Sequence, residues 1–283
     1  MSDPAAVCAQ IVRESRSSFS AALRFLPRRR RSAMNAVYAF CRRTDDIADG
    51  DGSTEERAEA LRAWRAQLTE HGEDPVIRAV VSAIAEFDIH PRHLHAVIDG
   101  CEMDLEKTRC ATFEELEDYC SLVAGAVGHQ CLGVWGLHGP AADELAERLG
   151  LAVQLTNIIR DWREDAARGR IYIPQDLMRA VGPSGVGEEE ILRGRTTEGI
   201  RHCLRDLTAC AGKAYGQAEN IIDALPRREK KRIWPALIIL DVYRNLLHRM
   251  NRLDFPENPP RVRIGKLHAL WIALRANLRA RFG

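Results

Sequence analysis

Two aspartate pairs with the same spacing are the residues of this chain most able to do chemistry. Asp45 and Asp49 end one helix-patterned segment, and Asp161 and Asp165 end another. Side chains four residues apart share a helix face and are about 6 Å apart along the axis. Two carboxylates placed this way at the negative end of a helix repel each other and the helix dipole, which costs free energy unless a cation is bound. Each pair therefore predicts a site for Mg²⁺, which binds carboxylates and substrate phosphates together. A solvated acidic helix end is the alternative for either pair alone.

The residues upstream of each pair extend it into a polar stripe on an otherwise apolar helix. On the first segment the stripe consists of Tyr38, Arg42, Asp45 and Asp49, and on the second of Gln154, Asn157, Asp161 and Asp165. A helix that is apolar around most of its circumference is buried, so a polar stripe on it must face a cavity with polar partners. We expect the two stripes to form opposite walls of one pocket.

Arginines accompany both aspartate pairs. Arg42 and Arg160 each lie within a few residues of the carboxylates, and a guanidinium group binds phosphate through two parallel hydrogen bonds. Neutralising the aspartates is their other possible role. Carboxylates, a divalent ion and arginines together indicate a diphosphate site more than a surface ion-pair cluster.

Composition excludes several classes of function. The formal net charge of +1 over 283 residues gives no electrostatic basis for nucleic-acid binding, and the run Arg28–Arg31 is typical of a solvated helix start. The eight cysteines lack zinc-ligand spacing, which indicates reduced and mostly buried thiols. The sequence has no glycine-rich phosphate loop and no dinucleotide fingerprint, so we expect no NADPH.

The location is expected to be cytoplasmic, because no signal peptide and no run of transmembrane length is found. A basic amphipathic segment, 261–282, could contact a membrane surface, and packing against the rest of the protein is its alternative.

The hydrophobic period is helical almost everywhere, which predicts an all-α protein. Helices are predicted at 4–24, 28–48, 54–70, 74–87, 91–105, 112–137, 141–166, 174–180, 188–194, 196–223, 227–253 and 263–281. No linker divides the chain, so residues 1–283 are predicted to form one domain. Gly50-Asp51-Gly52-Ser53 should end one helix and cap the next.

Four stretches of the sequence resemble the squalene and phytoene synthase family. They are Ser17–Ser20, Tyr38–Asp49 (YAFCRRTDDIAD), Gln154–Asp165 (QLTNIIRDWRED) and Gly169–Pro174. Within the family, 97–105 and 260–264 are most similar to the presqualene diphosphate synthases of bacterial hopanoid pathways, with phytoene synthases as the near alternative. Trp162 departs from a strict DDxxD motif, which favours head-to-head coupling over head-to-tail chain elongation.

The resemblance implies a fold and a set of site residues. The fold is the all-α isoprenoid synthase fold, a helical bundle around a central cavity, in which Asp45, Asp49, Asp161 and Asp165 hold Mg²⁺, or Mn²⁺ in its place. Further residues carried over from the family are Ser18, Phe19, Arg42, Gln154, Asn157, Arg160 and Arg261 for substrate, Gly125 and Gly128 for close approach of the prenyl chain, and the cavity tyrosines Tyr38, Tyr119 and Tyr243. Structural packing is an equal alternative for both glycines, Tyr119 and Tyr243.

The activity implied is the coupling of two farnesyl diphosphates to presqualene diphosphate with loss of diphosphate, in squalene or hopanoid biosynthesis. The alternative within the family is phytoene synthesis from geranylgeranyl diphosphate. A different class of function is a catalytically idle protein that binds prenyl diphosphates or assembles pathway enzymes. Downstream pathway enzymes are possible partners in each case.

Overall fold

A computed structural model describes residues 3–15, 26–70, 72–87, 89–182 and 185–257 of the chain. The helices are α1 (Pro4–Ser15), α2 (Arg28–Ala48), α3 (Thr54–Thr69), α4 (Pro75–Phe87), α5 (Arg92–Glu106), α6 (Phe113–Cys120), α7 (Ala126–Trp135), α8 (Pro140–Ala167), α9 (Gln175–Ala180), α10 (Glu188–Leu192), α11 (Glu198–Ala224), α12 (Arg227–Lys230) and α13 (Trp234–Arg252). Over these ranges the only β-type pairing is an isolated bridge between Arg109 and Ile171. The predicted all-α class is confirmed.

Two predicted helices are interrupted, each for a local reason. The predicted helix 112–137 contains a π-helical turn, Ser121–Gly125, between α6 and α7. The predicted helix 227–253 breaks before Pro235, which lies in the first turn of α13, where a missing backbone N–H costs nothing. The predicted segment 263–281 and the end of the predicted helix 4–24 lie outside the described residues.

Helix α8 is the centre of the bundle. It packs against α11 along much of its length and also against α7 and the π turn. Leu145, Ala152, Leu155 and Ile159 are among its buried side chains, so burial of apolar surface on several sides stabilises it. The second aspartate pair is therefore carried by a helix that its surroundings hold in place.

The first aspartate pair lies where α2 ends. Asp49 is the C-cap residue of α2, and its backbone N–H bonds to the carbonyl of Asp45. After the turn that follows, the Ser53 side chain accepts a hydrogen bond from the Glu56 backbone N–H, and the Glu56 carboxylate accepts one from the Ser53 backbone N–H, a capping box that starts α3. The predicted end of α2 and the predicted cap of α3 are both confirmed. Together they fix the position of Asp49 at the end of α2.

Glycines on two neighbouring helices make room for the widened π turn. A Cβ on Gly100 of α5 would lie 2.4 Å from Val123 Cγ1, and a Cβ on Gly150 of α8 would lie 2.7 Å from the backbone nitrogen of Gly125. Any larger residue at either position would overlap the turn. The turn thus lies tightly between α5 and α8, beside the cavity described below.

None of the helices in the described part of the chain combines the length and the apolar character needed to cross a bilayer.

Candidate active site

A cavity of about 280 Å³, partly open to solvent, is lined by α2, the π turn, α7, α8 and α13. Its polar lining residues include Tyr38, Asp45, Gln154, Asn157 and Tyr243. Most of the remaining wall is apolar. The structure therefore brings parts of both predicted polar stripes to one cavity.

The cavity has a polar end and an apolar end. Its wall on α8 runs from Leu145 to Asn157, and its wall on the π turn and α7 runs from Val123 to Trp135. Each stretch spans about 18 Å at the helical rise, and the short connection between α7 and α8 makes the two helices antiparallel. Asp161 and Asp165 follow Asn157 on α8, and Asp45 lies beside Cys101, whose neighbour Gly100 packs on Val123. The carboxylates are therefore towards the end of Asn157 and Val123, and Trp135 lies at the opposite end.

Asp45 is exposed to the space of the cavity, while the protein packed around its carboxyl group partly desolvates it. Burial raises the pKa of its carboxyl group to about 7, against the lowering effect of Arg42 and of a hydrogen bond from Cys101. The Cys101 thiol donates to Asp45 Oδ1 at 3.7 Å. A carboxylate that is costly to ionise in this site is stabilised by a bound cation.

Asp49 links the two motifs directly. Its Oδ2 accepts a hydrogen bond from Arg168 and its Oδ1 accepts one from Arg170, each at 2.9 Å. Both arginines follow Asp165 within five residues. The end of the first motif therefore lies against the end of the second, as opposite walls of one site require.

The second motif combines a paired and a desolvated carboxylate. Asp161 is held by the neighbouring guanidinium of Arg160, whose Nε donates to Oδ1 at 2.7 Å. Burial and the negative charge of Asp161 raise the pKa of Asp165 to about 7, although Arg170 and Arg168 oppose this shift. Trp162, which replaces the second aspartate of a strict DDxxD motif, is 4% exposed and packs in the core.

The donor set at the polar end suits a hard divalent cation. Asp49 of the first motif is paired there with Arg168 and Arg170, which follow the second motif, and Asn157 Oδ1 is buried without a hydrogen-bond partner among the described residues. Amide and carboxylate oxygens are Mg²⁺ ligands, so these residues fit the predicted ion. Within the described ranges, no three Asp, Glu, His or Cys side chains surround one point where a metal ion could bind. Asp49 and Asp161 instead form ion pairs with arginines.

The remaining predicted residues separate into three locations. Tyr38 and Tyr243 line the cavity, and burial raises the pKa of Tyr243. Arg42 is paired with Asp46, Nη2 to Oδ1 2.7 Å, and faces a groove between α1 and α2 instead of the cavity. The predicted substrate residues Ser18, Phe19 and Arg261 lie outside the described residues.

Tyr119 belongs to a polar cluster beside the carboxylates. Its hydroxyl donates to Asp104 Oδ2 at 2.9 Å, and the hydroxyl of Tyr172 donates to Oδ1 at 2.7 Å. The two rings are stacked with centroids 5.1 Å apart. Burial raises the pKa of Asp104, while the tyrosine hydrogen bonds and the charge of Arg170 lower it. Since Arg170 also binds Asp49, this cluster is connected to the first motif.

Sequence reasoning missed Asp104, Tyr172 and Arg170 as members of the site. Asp104 is in the stretch 97–105 and the other two are in Gly169–Pro174, so both family-like stretches that had no assigned role carry site residues. Their placement depends on tertiary contacts that no local spacing reveals. Only the resemblance of these two stretches to the family could have indicated these residues.

The two predicted glycines differ in position. Gly128 lines the cavity, whereas Gly125 is buried against α8, where an added Cβ would lie 2.7 Å from the Glu147 carboxylate. Gly150, which was not predicted, also lines the cavity and lies against Gly125. Close helix packing, the alternative given for Gly125, is thus the contact observed.

Sequence comparisons with known proteins identify the family of this chain. The family model described as squalene/phytoene synthase matches residues 12–268. The chain is 34% identical to phytoene synthase 3 of Zea mays over 96% of its length, covering 65% of that protein, and 33% identical to phytoene synthase of Arthrospira platensis over 99%, covering 94%. The chain thus spans about two thirds of the plant relative and nearly all of the cyanobacterial one.

Solved structures give the same result for the fold. A dehydrosqualene synthase in complex with ligand superposes with a TM-score of 0.83 at 25% identity, covering 98% of this chain and 96% of that one. Squalene synthase HpnC of Alicyclobacillus acidocaldarius has a TM-score of 0.79 at 26% identity, covering 89% and 95%. The fold is therefore the predicted isoprenoid synthase fold, and the chain belongs to the squalene/phytoene synthase family.

Proposed function

We propose that this protein is a Mg²⁺-dependent prenyltransferase that joins two prenyl diphosphates head to head with release of diphosphate. The observation that carries the proposal is the cavity that has Asp45 of the first motif and Gln154 and Asn157 of the second stripe at its polar end, and whose mostly apolar walls extend about 18 Å along α8. Such a cavity suits ligands that have a diphosphate at one end and a hydrocarbon chain at the other.

The polar end would receive the diphosphates. Asp45, Asp49, Asp161 and Asp165, with Asn157, would hold Mg²⁺, which when bound neutralises the negative charge that develops on a departing diphosphate. Arg168 and Arg170 now bind Asp49, and they are placed to exchange that carboxylate for substrate phosphate once a cation occupies the site.

The apolar part of the cavity would protect the reacting chains. Loss of diphosphate leaves an allylic cation that water would quench, so walls built from side chains such as Val127 and Leu149 serve to exclude water. The rings of Tyr38 and Tyr243 present π-electron density to a cation in the same space. Holding both chains side by side replaces a bimolecular encounter by an oriented one.

Geranylgeranyl diphosphate, giving phytoene, is the favoured substrate, because the curated relatives at 31–34% identity over most of the chain are phytoene synthases. This favours the alternative over our first expectation from the sequence. Farnesyl diphosphate, giving presqualene diphosphate, is the second candidate, supported by the structural neighbours named dehydrosqualene synthase and squalene synthase.

A competition assay separates these two candidates. Purified protein with Mg²⁺ is given equal amounts of farnesyl and geranylgeranyl diphosphate, without NADPH, and the products are identified by mass spectrometry. Phytoene as the main product supports the first candidate. Presqualene diphosphate as the main product would replace it by the second, and a mixed or absent coupling product would refute selectivity for either chain length.

A further inference from the structure

Two basic runs that are far apart in the sequence contain nine cationic side chains and one acidic one. The first is Arg28–Arg31, at the start of α2, and the second is Arg227–Arg232 (RREKKR), which contains α12. In a chain with a net charge of +1, this is a strong local excess of positive charge. We call the two runs together the basic patch.

The fold brings both runs to one residue, Gly136, at the end of α7. Nη1 of Arg232 donates to the Gly136 carbonyl at 3.2 Å, and Nη2 of Arg30 lies 3.4 Å from the position that a Cβ on Gly136 would occupy. Burial and the nearby charge of Arg232 lower the pKa of Arg30. Arg232 satisfies a carbonyl at the negative end of α7, and the charge of Arg30 lies near the same end. The other seven cations of the patch are not placed at this helix end by either contact.

Several of the remaining cations face solvent. Arg28, Arg228 and Lys231 are exposed, and within the described chain neither they nor Lys230 form an ion pair. Arg29 is paired with Glu86 at 2.7 Å, yet its side chain remains 82% exposed. The patch thus has at least four cations whose charge no ion pair neutralises in the described part of the chain, three of them exposed.

The patch lies behind the apolar end of the cavity. Gly136 directly follows Trp135, the side chain that lines this end. Helices α2 and α13 both begin at the patch and carry Val37 and Ile239 into the cavity wall, whereas α2 reaches Asp45 only near its other end. The molecule therefore has its carboxylates towards one pole and its basic patch towards the other.

We propose that the basic patch docks the protein on an anionic lipid surface, with the apolar end of the cavity directed at the bilayer. Lys and Arg side chains near such a surface strengthen binding by roughly fivefold each. The half-buried Trp234, next to the patch, is a residue type that favours the bilayer interface. Lipid suits the placement better than nucleic acid does, because hydrocarbon ligands of an apolar cavity partition into bilayers. Docking does not require the proposed reaction.

The test is cosedimentation of the full chain, without substrate, with vesicles of phosphatidylcholine and phosphatidylglycerol. The variant Arg228→Gln, Lys230→Gln, Lys231→Gln should bind about a hundredfold more weakly than the unchanged protein, and binding should fall with added salt. Pure phosphatidylcholine vesicles should bind neither protein. None of the three residues is among the described residues that line the cavity, so head-to-head coupling in detergent should stay unchanged.

A matched control removes the same charge elsewhere. Arg179, Arg195 and Lys213 are exposed and without ion-pair partners in the described part of the chain, and changing all three to Gln should leave vesicle binding within about twofold. Equal weakening by both triple variants would show a net-charge effect and overturn the proposal. So would unchanged binding of the patch variant, no binding by the unchanged protein, or patch-dependent binding to duplex DNA in place of vesicles.

Discussion

Among individual residues, Asp45 and Asp161 carry most of the proposed chemistry. Asp45 lies in the cavity wall and Asp161 lies on the opposing helix, four residues beyond Asn157. We expect Asp45→Ala or Asp161→Ala to lower turnover by about a thousandfold or more, because a lost ligand removes charge stabilisation from the departing diphosphate. Helical content by circular dichroism should be nearly unchanged.

Asp51 provides a control for these substitutions. It is an exposed carboxylate in the turn after α2, outside the cavity. Asp51→Ala should retain at least about half of the activity, since isolated surface substitutions rarely perturb a site. If Asp45→Ala were as active as Asp51→Ala, the metal assignment would be wrong.

Asp104 is expected to act by positioning. It accepts hydrogen bonds from Tyr119 and Tyr172 and lies near Arg170, which binds Asp49. Asp104→Asn should lower kcat by about a hundredfold while KM changes little, because misplaced groups impair the chemical step more than binding. Steady-state kinetics checks this, with Asp104→Glu as the conservative variant expected to restore part of kcat. A change confined to thermal stability would contradict the positioning role.

Among elements, the contact between α8 and the π turn holds the two walls of the cavity in register. A Cβ on Gly150 would lie 2.7–2.8 Å from backbone atoms of Ala124 and Gly125. Gly150→Ala should therefore destabilise the protein by about 1–3 kcal/mol despite the better helix propensity of alanine. Urea unfolding measures the loss.

Gly212, in α11, is the matched control because, apart from the neighbouring backbone of its own helix, no atom of the described residues lies within 4 Å of its potential Cβ. Gly212→Ala should stabilise the protein by up to about 1 kcal/mol. If both substitutions stabilised the protein equally, the close contact would have no energetic weight.

Local pattern predicted most of these elements, and tertiary contact explains the exceptions. Apolar periodicity placed α2 and α8 within a few residues of their observed limits, because Pro27 and Gly139-Pro140 mark their starts locally. It could not show the π turn, which depends on Gly100 and Gly150 from other helices. The same limit applies to Asp104, whose tyrosine partners come from α6 and from the segment after α8.

For the whole molecule, the balance of charge at the polar end should couple metal binding to stability. The pKa values of Asp45 and Asp165 are raised to about 7 in the folded protein. Protons bound to these groups therefore stabilise the metal-free fold at low pH, and this stabilisation is lost as pH rises through about 7. Mg²⁺ should then compete with protons for the same oxygens.

Thermal unfolding with EDTA or with Mg²⁺ at pH 6 and pH 8 tests this coupling. The increase in Tm caused by Mg²⁺ should be larger at pH 8, because binding to the folded state alone stabilises it and protons no longer compete. Asp45→Asn should reduce this difference between the two pH values. An equal increase in Tm at both pH values, or no increase at either, would contradict the binding of Mg²⁺ by these carboxylates.

Identification of the product formed from a single prenyl diphosphate tests the central claim most directly. The protein is incubated with Mg²⁺ and geranylgeranyl diphosphate, and separately with farnesyl diphosphate, and the carbon skeleton of the product is determined by mass spectrometry. With at least one substrate, the product should contain the carbon atoms of two substrate molecules, and it should disappear with EDTA and in Asp45→Ala and Asp161→Ala. A prenyl alcohol with the carbon number of one substrate, or coupled product that persists in both variants, would contradict the account.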